Sequence, residues 1–134
     1  MGRRLGRRAL RLVRCGGSWC SGWGQRAQWV QLLESGQVAF AGGGWVMNDE
    51  IASHLYADID QMALGHKWIN DTFGAKHVPR VAWQIDAQGN LGSQAAMMAA
   101  IGMDAHVPNR IPDLVKRGAQ DQKAIEFVWA GMPP

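Results

Sequence analysis

The spacing of apolar positions changes several times along the chain, and each change marks an element. From Gln25 to Leu33 the residues Trp29, Val30, Leu32 and Leu33 share a helical face. Glu34-Ser35-Gly36-Gln37 ends that helix, with Gly36 in the position that favours left-handed backbone. Val38-Ala39-Phe40-Ala41 reads as a short buried strand, stopped by Gly42-Gly43-Gly44. A longer helix follows. Asn48 is placed as its cap, and Asp49 and Glu50 lie in its first turn, where the helix dipole favours negative charge. Ile51, Leu55, Ile59, Met62, Ile69 and Phe73 recur at intervals of three, four and seven, which aligns them on one predicted inner face. Gly74 ends the run and Pro79 lies beyond it.

A second apolar run, Val81 to Ile85, ends on Asp86 and a glycine-bearing loop, Ala87-Gln88-Gly89-Asn90-Leu91. Ser93 to Ile101 then reads as a helix of small residues whose methionines, Met97 and Met98, suit a packed core. Met103 to Val107 is a candidate third strand ended by Pro108, and Asp113 to Trp129 a final helix. Three βα units in succession predict an α/β fold with a parallel sheet. Ligands collect beyond the carboxyl ends of such strands, which is where Asp86 stands. Spacing alone also allows Asp86 as a helix cap or turn-former.

Charge divides the chain in two. Residues 1–33 carry seven Arg and no acid, whereas the remaining 101 residues carry seven basic and eleven acidic groups, a net of −4. The body therefore lacks the clustered basic face that nucleic acid requires. Residues 1–24 are Arg-rich, acid-free and glycine-punctuated, and are set apart from the fold as either a mitochondrial-type targeting segment or the product of a misread gene. Their apolar residues form no run long enough for a secretory signal core or a membrane span. Cys15 and Cys20 lack the companions of a zinc pattern, leaving a small-loop disulfide or two free thiols open. His54 and His66 have no metal-pairing residue at i+4 and read as surface or packed side chains. Asn70-Asp71-Thr72 is an acceptor triplet for N-glycosylation and favours the secretory route.

Two stretches go beyond pattern. Gln31-Leu32-Leu33-Glu34-Ser35-Gly36-Gln37-Val38-Ala39-Phe40, running into Gly43-Gly44-Trp45-Val46-Met47-Asn48-Asp49-Glu50, resembles the catalytic domain of glycoside hydrolase family 38, the α-mannosidases. His54, Asp60-Gln61-Met62, Leu64-Gly65, Thr72-Phe73-Gly74 and Pro79-Arg80-Val81-Ala82-Trp83 continue it in order, followed by Gly102-Met103-Asp104, Arg110-Ile111 and Glu126-Phe127-Val128-Trp129. Asn48 and the Asp-Gln-Met run are nearer the lysosomal type than the Golgi type. The resemblance covers about residues 28 to 129 and makes residues 25–134 part of a family catalytic domain. It implies a parallel-stranded α/β barrel and retaining hydrolysis of terminal α-mannosyl residues of glycoproteins or oligosaccharides. It also implies a lysosomal or secretory location, with the mitochondrion as the alternative from the Arg-rich end.

In that family, a strand reading Trp-x-Ile-Asp-Pro-Phe-Gly-His-Ser carries a nucleophile that also ligates zinc. Asp86 falls on that position, so the resemblance makes it both the catalytic nucleophile and a Zn2+ ligand. Gly89 is retained, whereas Ala87, Gln88, Asn90 and Leu91 replace Pro, Phe, His and Ser. The chemistry calls for a carboxylate there, because retaining glycosidases form a glycosyl ester on one carboxylate and use a second as acid and then base. The family's other zinc ligands, a His-x-Asp pair and a downstream His, have no counterpart. His54, His66, His77 and His106 are followed at the second position by Tyr56, Trp68, Pro79 and Pro108. The acid/base Asp is expected beyond Pro134. The alternative reading is a catalytically inactive, degenerate relative or gene fragment retaining sugar or partner contact. Trp45 and Trp83 are open between a sugar-stacking wall and buried core, and Arg110 between an acid of the pocket and any nearby carboxylate. An isolated piece of barrel is also expected to expose sheet edges and an apolar face.

Overall fold

The computed structural model of the chain describes residues 11–13 and 23–129. Strand β1 (Arg11–Val13) is followed by helix α1 (Trp23–Glu34) and strand β2 (Val38–Phe40). Helix α2 (Leu55–Phe73) and a 3-10 turn (Ala75–His77) lead to strand β3 (Val81–Gln84). Helix α3 (Gly92–Ala100), strand β4 (Ala105–Pro108) and helix α4 (Asp113–Asp121) complete the order. No helix among the described residues is long and apolar enough to cross a membrane.

The strands pair in parallel. β1 lies against β2, with Arg11 opposite Val38 and Val13 opposite Phe40. β3 lies against β4, with Val81 opposite Ala105 and Gln84 opposite Pro108. Each pair is joined through a helix, α1 in the first and α3 in the second, as parallel pairing demands. The Gly42 amide donates to the Val81 carbonyl at 2.8 Å, tying the end of β2 to the start of β3. The chain is thus mixed α/β with parallel strands, as the alternating pattern implies. β1 falls within residues 1–24, the stretch set apart from the fold, while Cys15 and Cys20 lie outside the described residues.

Two apolar clusters fill the interior. Leu33, Val38, Phe40 and Ile69 are buried together, with Trp29, Leu32, Trp68, Phe73 and Val78 packed around them. Phe73 stands 5.4 Å from Phe40 and 5.7 Å from Trp68, ring centre to ring centre. Met62, Ala82 and Met98 form the second cluster, with Met97 and Met103 beside it. The methionines of α3 are core, as their helical spacing suggests.

The second helix differs from its prediction in where it begins. It starts at Leu55, and its cap is His54, whose side chain accepts from the Tyr56 amide. Residues 49–53 instead form turns around Asp49, whose carbonyl accepts from the Ala52 and Ser53 amides while its carboxylate accepts from the Ile51 amide. Of the expected inner face, Met62 and Ile69 are buried, and Asp58 and Gly65 join them there. Ile51, Leu55 and Ile59, expected inside, are 72%, 57% and 40% exposed. Asp58 is tolerated inside because the Ser53 hydroxyl donates to it at 2.9 Å.

Smaller corrections concern the last third. β4 includes Pro108, which pairs with Gln84, instead of ending before it. The helix predicted to Trp129 stops at Asp121: Lys123 takes a left-handed φ of 55°, and the Ala124 amide turns back to the Ala119 carbonyl. Ile125, Phe127 and Val128 are left exposed, together with Leu114 and Val115 of α4.

Candidate active site

A cavity of about 450 Å³ opens where β2 and β3 end. Phe40 and Gly42-Gly43-Gly44 form one side, Met62 and Ile69 of α2 the floor, and Trp83, Ile85 and Asp86 the other side; Trp45, Val46 and Met47 also line it. Trp83 is half-buried and Trp45 is 41% exposed. Both tryptophans therefore belong to the cavity wall, not to either core cluster.

The glycine loop can lie close to α2 because both sides lack side chains at the crossing. A Cβ on Gly65 would strike the Gly43 carbonyl oxygen and sit 2.6 Å from the Gly44 carbonyl carbon. The Trp45 amide donates to the Gln61 carbonyl at 3.0 Å, and the Val46 amide to Gln61 Oε1 at 3.1 Å. His66 Nε2 lies 3.0 Å from the Gly42 carbonyl oxygen, so this histidine fastens the same loop. His66 is a packed side chain and His54 a helix cap, consistent with their plain readings from sequence.

Asn48 and Glu50 anchor the other side of the site. Asn48 is 5% exposed, and its Oδ1 accepts from Gln84 Nε2 of β3 and Gln94 Nε2 of α3, both at 3.4 Å. It is thus a buried link between three segments and not a helix cap. Glu50 Oε2 accepts from the Leu91 amide at 2.6 Å, and a Cβ on Gly89 would stand 2.8 Å from the Glu50 Cβ. Glycine at position 89, held at φ 126°, lets the β3–α3 loop close down on that carboxylate.

Asp86 sits at the cavity rim directly after this strand, and the cap of α3 is Leu91, so Asp86 caps nothing. Its side chain meets Arg110, whose Nε donates to Asp86 Oδ1 at 2.9 Å and whose Nη2 also reaches that oxygen. Two neighbouring bonds hold the loops in this relation. Asn90 Nδ2 donates to the Arg110 carbonyl at 2.9 Å, and Asn109 Nδ2 donates to the Ile85 carbonyl at 3.2 Å. The β3–α3 and β4–α4 loops are therefore laced together around the Asp86–Arg110 pair. Asn90, Asn109, Gln84 and Gln94 had no motif to announce them.

A carboxylate beside tryptophan rings at a cavity mouth can accept hydrogen bonds from sugar hydroxyls or attack an anomeric carbon. It has no second carboxylate with it: Asp86 is the one acid lining the cavity among the described residues. Among those residues no group of three or more His, Cys, Asp or Glu side chains could hold a metal ion. The donor set at Asp86 is one carboxylate facing a guanidinium cation, which does not fit the zinc ion implied by resemblance.

Comparison with known proteins identifies the family. The sequence model described as "Glycosyl hydrolases family 38 N-terminal domain" matches residues 22–133. The chain is similar to the lysosomal alpha-mannosidase of Felis catus, 45% identical over 98 residues, which is 73% of this chain and 10% of that protein. It is likewise similar to the lysosomal alpha-mannosidase of Homo sapiens, 43% identical over 98 residues, again 73% of this chain and 10% of that protein. Alpha-mannosidase 2 of Arabidopsis thaliana is 36% identical over 100 residues, 75% of this chain and 8% of that protein. The chain thus spans about a tenth of the length of the curated relatives it matches. With its matched region reaching from α1 through the cavity, Asp86 and α4, the chain belongs to the glycosyl hydrolase family 38 N-terminal domain family.

Proposed function

We propose that this chain carries part of the sugar-binding and nucleophilic half of an α-mannosidase-like glycoside hydrolase, built on part of a parallel α/β barrel. The observation that supports this reading is the position of Asp86. It follows the third parallel strand, at the rim of a cavity walled by Trp45 and Trp83, in a chain whose relatives are named alpha-mannosidases. Terminal α-mannosyl groups of glycans are the proposed substrate class. Those relatives' lysosomal names favour the lysosome or the secretory route, and nothing among them favours the mitochondrion.

Asp86 Oδ1 takes both guanidinium contacts from Arg110. Oδ2 is then the oxygen proposed to attack the anomeric carbon, displacing the leaving group and forming a glycosyl ester. Glu50, through the Leu91 amide, and Asn90, through the Arg110 carbonyl, hold the two loops that present this carboxylate. Zinc, when bound to family members of this type, would orient the sugar and offset developing charge. Here its further ligands would have to come from outside the described residues, and no step is assigned to it. Turnover also needs an acid to protonate an ordinary leaving group, and the cavity supplies none beside Asp86.

A second reading is a sugar-binding relative without catalysis. The Asp86–Arg110 pair and the replaced loop Ala87-Gln88-Gly89-Asn90-Leu91 favour it. A 2-fluoro-mannosyl donor with an activated leaving group separates the two, because such a group departs without protonation. The expected result is a covalent sugar on Asp86, found by mass spectrometry, with no catalytic release of an ordinary aryl α-mannoside. Tryptophan quenching by mannosides without any label would favour the second reading. Labelling of another residue would overturn the role given to Asp86.

A further inference from the structure

We infer that Asn70 is a glycan-attachment site on the outer face of α2, an inference that rests on the secretory route proposed above. The sequence holds four asparagines, and only Asn70-Asp71-Thr72 has the acceptor form; Asn48, Asn90 and Asn109 are followed at the second position by Glu50, Gly92 and Ile111. The folded chain makes room for the modification. The inward stripe of α2 is Asp58, Met62, Gly65 and Ile69, which packs on the cores and the glycine loop. Asn70 lies off that stripe and is exposed, beside the exposed Lys67–Asp71 pair, whose charged atoms are 2.6 Å apart.

The carboxamide nitrogen of Asn70 is engaged only weakly, donating to Asp71 Oδ1 at 3.4 Å across an exposed surface. What the fold needs from Asn70 is its backbone: the carbonyl accepts from the Gly74 amide at 2.9 Å and ends the helix. The neighbouring Thr72 likewise contributes its carbonyl, which accepts from Arg26 Nη2 at 2.8 Å. A sugar on Nδ2 therefore displaces no buried contact, and Asn70 is not among the residues that line the cavity, whose α2 lining is Met62 and Ile69.

The donor class is a lipid-linked diphospho-oligosaccharide, acted on by a lumenal transferase. The Asn70 Nδ2 attacks the anomeric carbon of the first sugar, and the N–C bond forms as the C–O bond to the diphosphate breaks. The lipid diphosphate leaves with the electron pair, and one carboxamide proton passes to a base of the transferase. No redox change is involved.

The test translates the full chain with lumen-forming microsomes, alone and behind a cleavable secretory leader. In the leader-bearing form we expect a single step up in apparent mass, removed by a glycan amidase. Asn70→Gln and Thr72→Ala abolish the step, and Thr72→Ser keeps it. Absence of a step in protease-protected, leader-bearing chain would overturn the inference, as would a step that survives Asn70→Gln. A step with the leader and none without it would keep Asn70 as an acceptor while removing unaided secretory entry, so the two ideas fail separately.

Discussion

Arg110 grips one oxygen of Asp86 from the loop after the next strand, 24 residues away, with Nε at 2.9 Å from Oδ1. The two side chains are about half exposed or more, 52% for Arg110 and 62% for Asp86. Water weakens such a pair, so its worth is about 1 kcal/mol, equivalent to about fivefold in a rate. Its effect is directional, since it engages Oδ1 and leaves Oδ2 as the oxygen proposed to react. Arg110→Ala should slow labelling of Asp86 by an activated 2-fluoro-mannosyl donor about fivefold, with Arg110→Lys between it and the parent chain. Faster labelling in Arg110→Ala would mean that the arginine blocks the carboxylate.

The crossing of α2 with the glycine loop has no slack. In Gly65→Ala the new methyl would collide with backbone at Gly43 and lie 2.7 Å from the Trp45 nitrogen, and neither group can rotate away. Overpacking against backbone costs about 3 kcal/mol. The urea midpoint of tryptophan fluorescence should fall accordingly, and the sugar binding proposed for the cavity should weaken as the loop is pushed off the helix. Gly118→Ala, with nothing within 4 Å of the added Cβ in the interior of α4, is the control and should lower neither, since Ala is the better helix former. An unaltered midpoint in Gly65→Ala would show that loop and helix separate freely.

The buried carboxamides give a sharper contrast. Asn48→Ala leaves the Gln84 and Gln94 amide groups inside without their acceptor, at a cost of about 2 kcal/mol. Replacing all three together, as Asn48→Leu, Gln84→Met and Gln94→Met, removes the unpaired groups along with the bonds. The triple variant should therefore be more stable than Asn48→Ala alone, measured by urea unfolding. Equal or greater loss in the triple variant would mean that the network adds more than the desolvation of its members removes.

How far the sequence disclosed this site depends on the distance over which each residue acts. The place of Asp86 after a strand was legible because a short apolar run, a carboxylate and a glycine loop are neighbours in the chain, whereas its chemical role came only from the family resemblance. The buried role of Asn48 was hidden because its partners are 36 and 46 residues away, and locally Asn before Asp-Glu has the form of a helix cap. Taking it as a cap moved the predicted helix start back into the turn at Asp49 and put Ile51 and Leu55 on the predicted inner face, although both are exposed. The end of α4 failed for the opposite reason. Ile125, Phe127, Val128 and Trp129 continue an apolar pattern, yet Lys123 turns left-handed and breaks the helix before them. The Arg110 partner was an open alternative, since a guanidinium far along the chain carries no local sign of which carboxylate it meets.

The exposed apolar groups at that end give a simple expectation. Leu114, Phe127 and Val128 are 86%, 65% and 94% exposed, and large apolar side chains left open in this way favour association. The isolated chain should bind an apolar dye in buffer, and polar substitution at Leu114 and Val128 should lower the signal. A signal unchanged by those substitutions would place the sticky surface elsewhere.

His106 makes the stability of this region depend on pH. Its ring lies 6.4 Å from that of Trp129 and within 12° of parallel, and both ring nitrogens are buried without a hydrogen-bond partner among the described residues. Burial holds the imidazole below its ordinary value of 6.5, because a charge there loses hydration and gains no carboxylate. The unfolded chain consequently takes up the proton first. As pH falls through 6.5 the unfolded state binds more protons than the folded one, so stability present above that value declines until the folded imidazole also titrates. The urea midpoint should thus drop between about pH 7.5 and about pH 5. His106→Phe keeps a ring against Trp129 and has nothing to protonate, so its midpoint should drop less over the same interval. An equal drop in both chains would assign the acid sensitivity to carboxylates instead, with Glu34 the first to examine because Lys76 and His77 hold its carboxyl below the ordinary range.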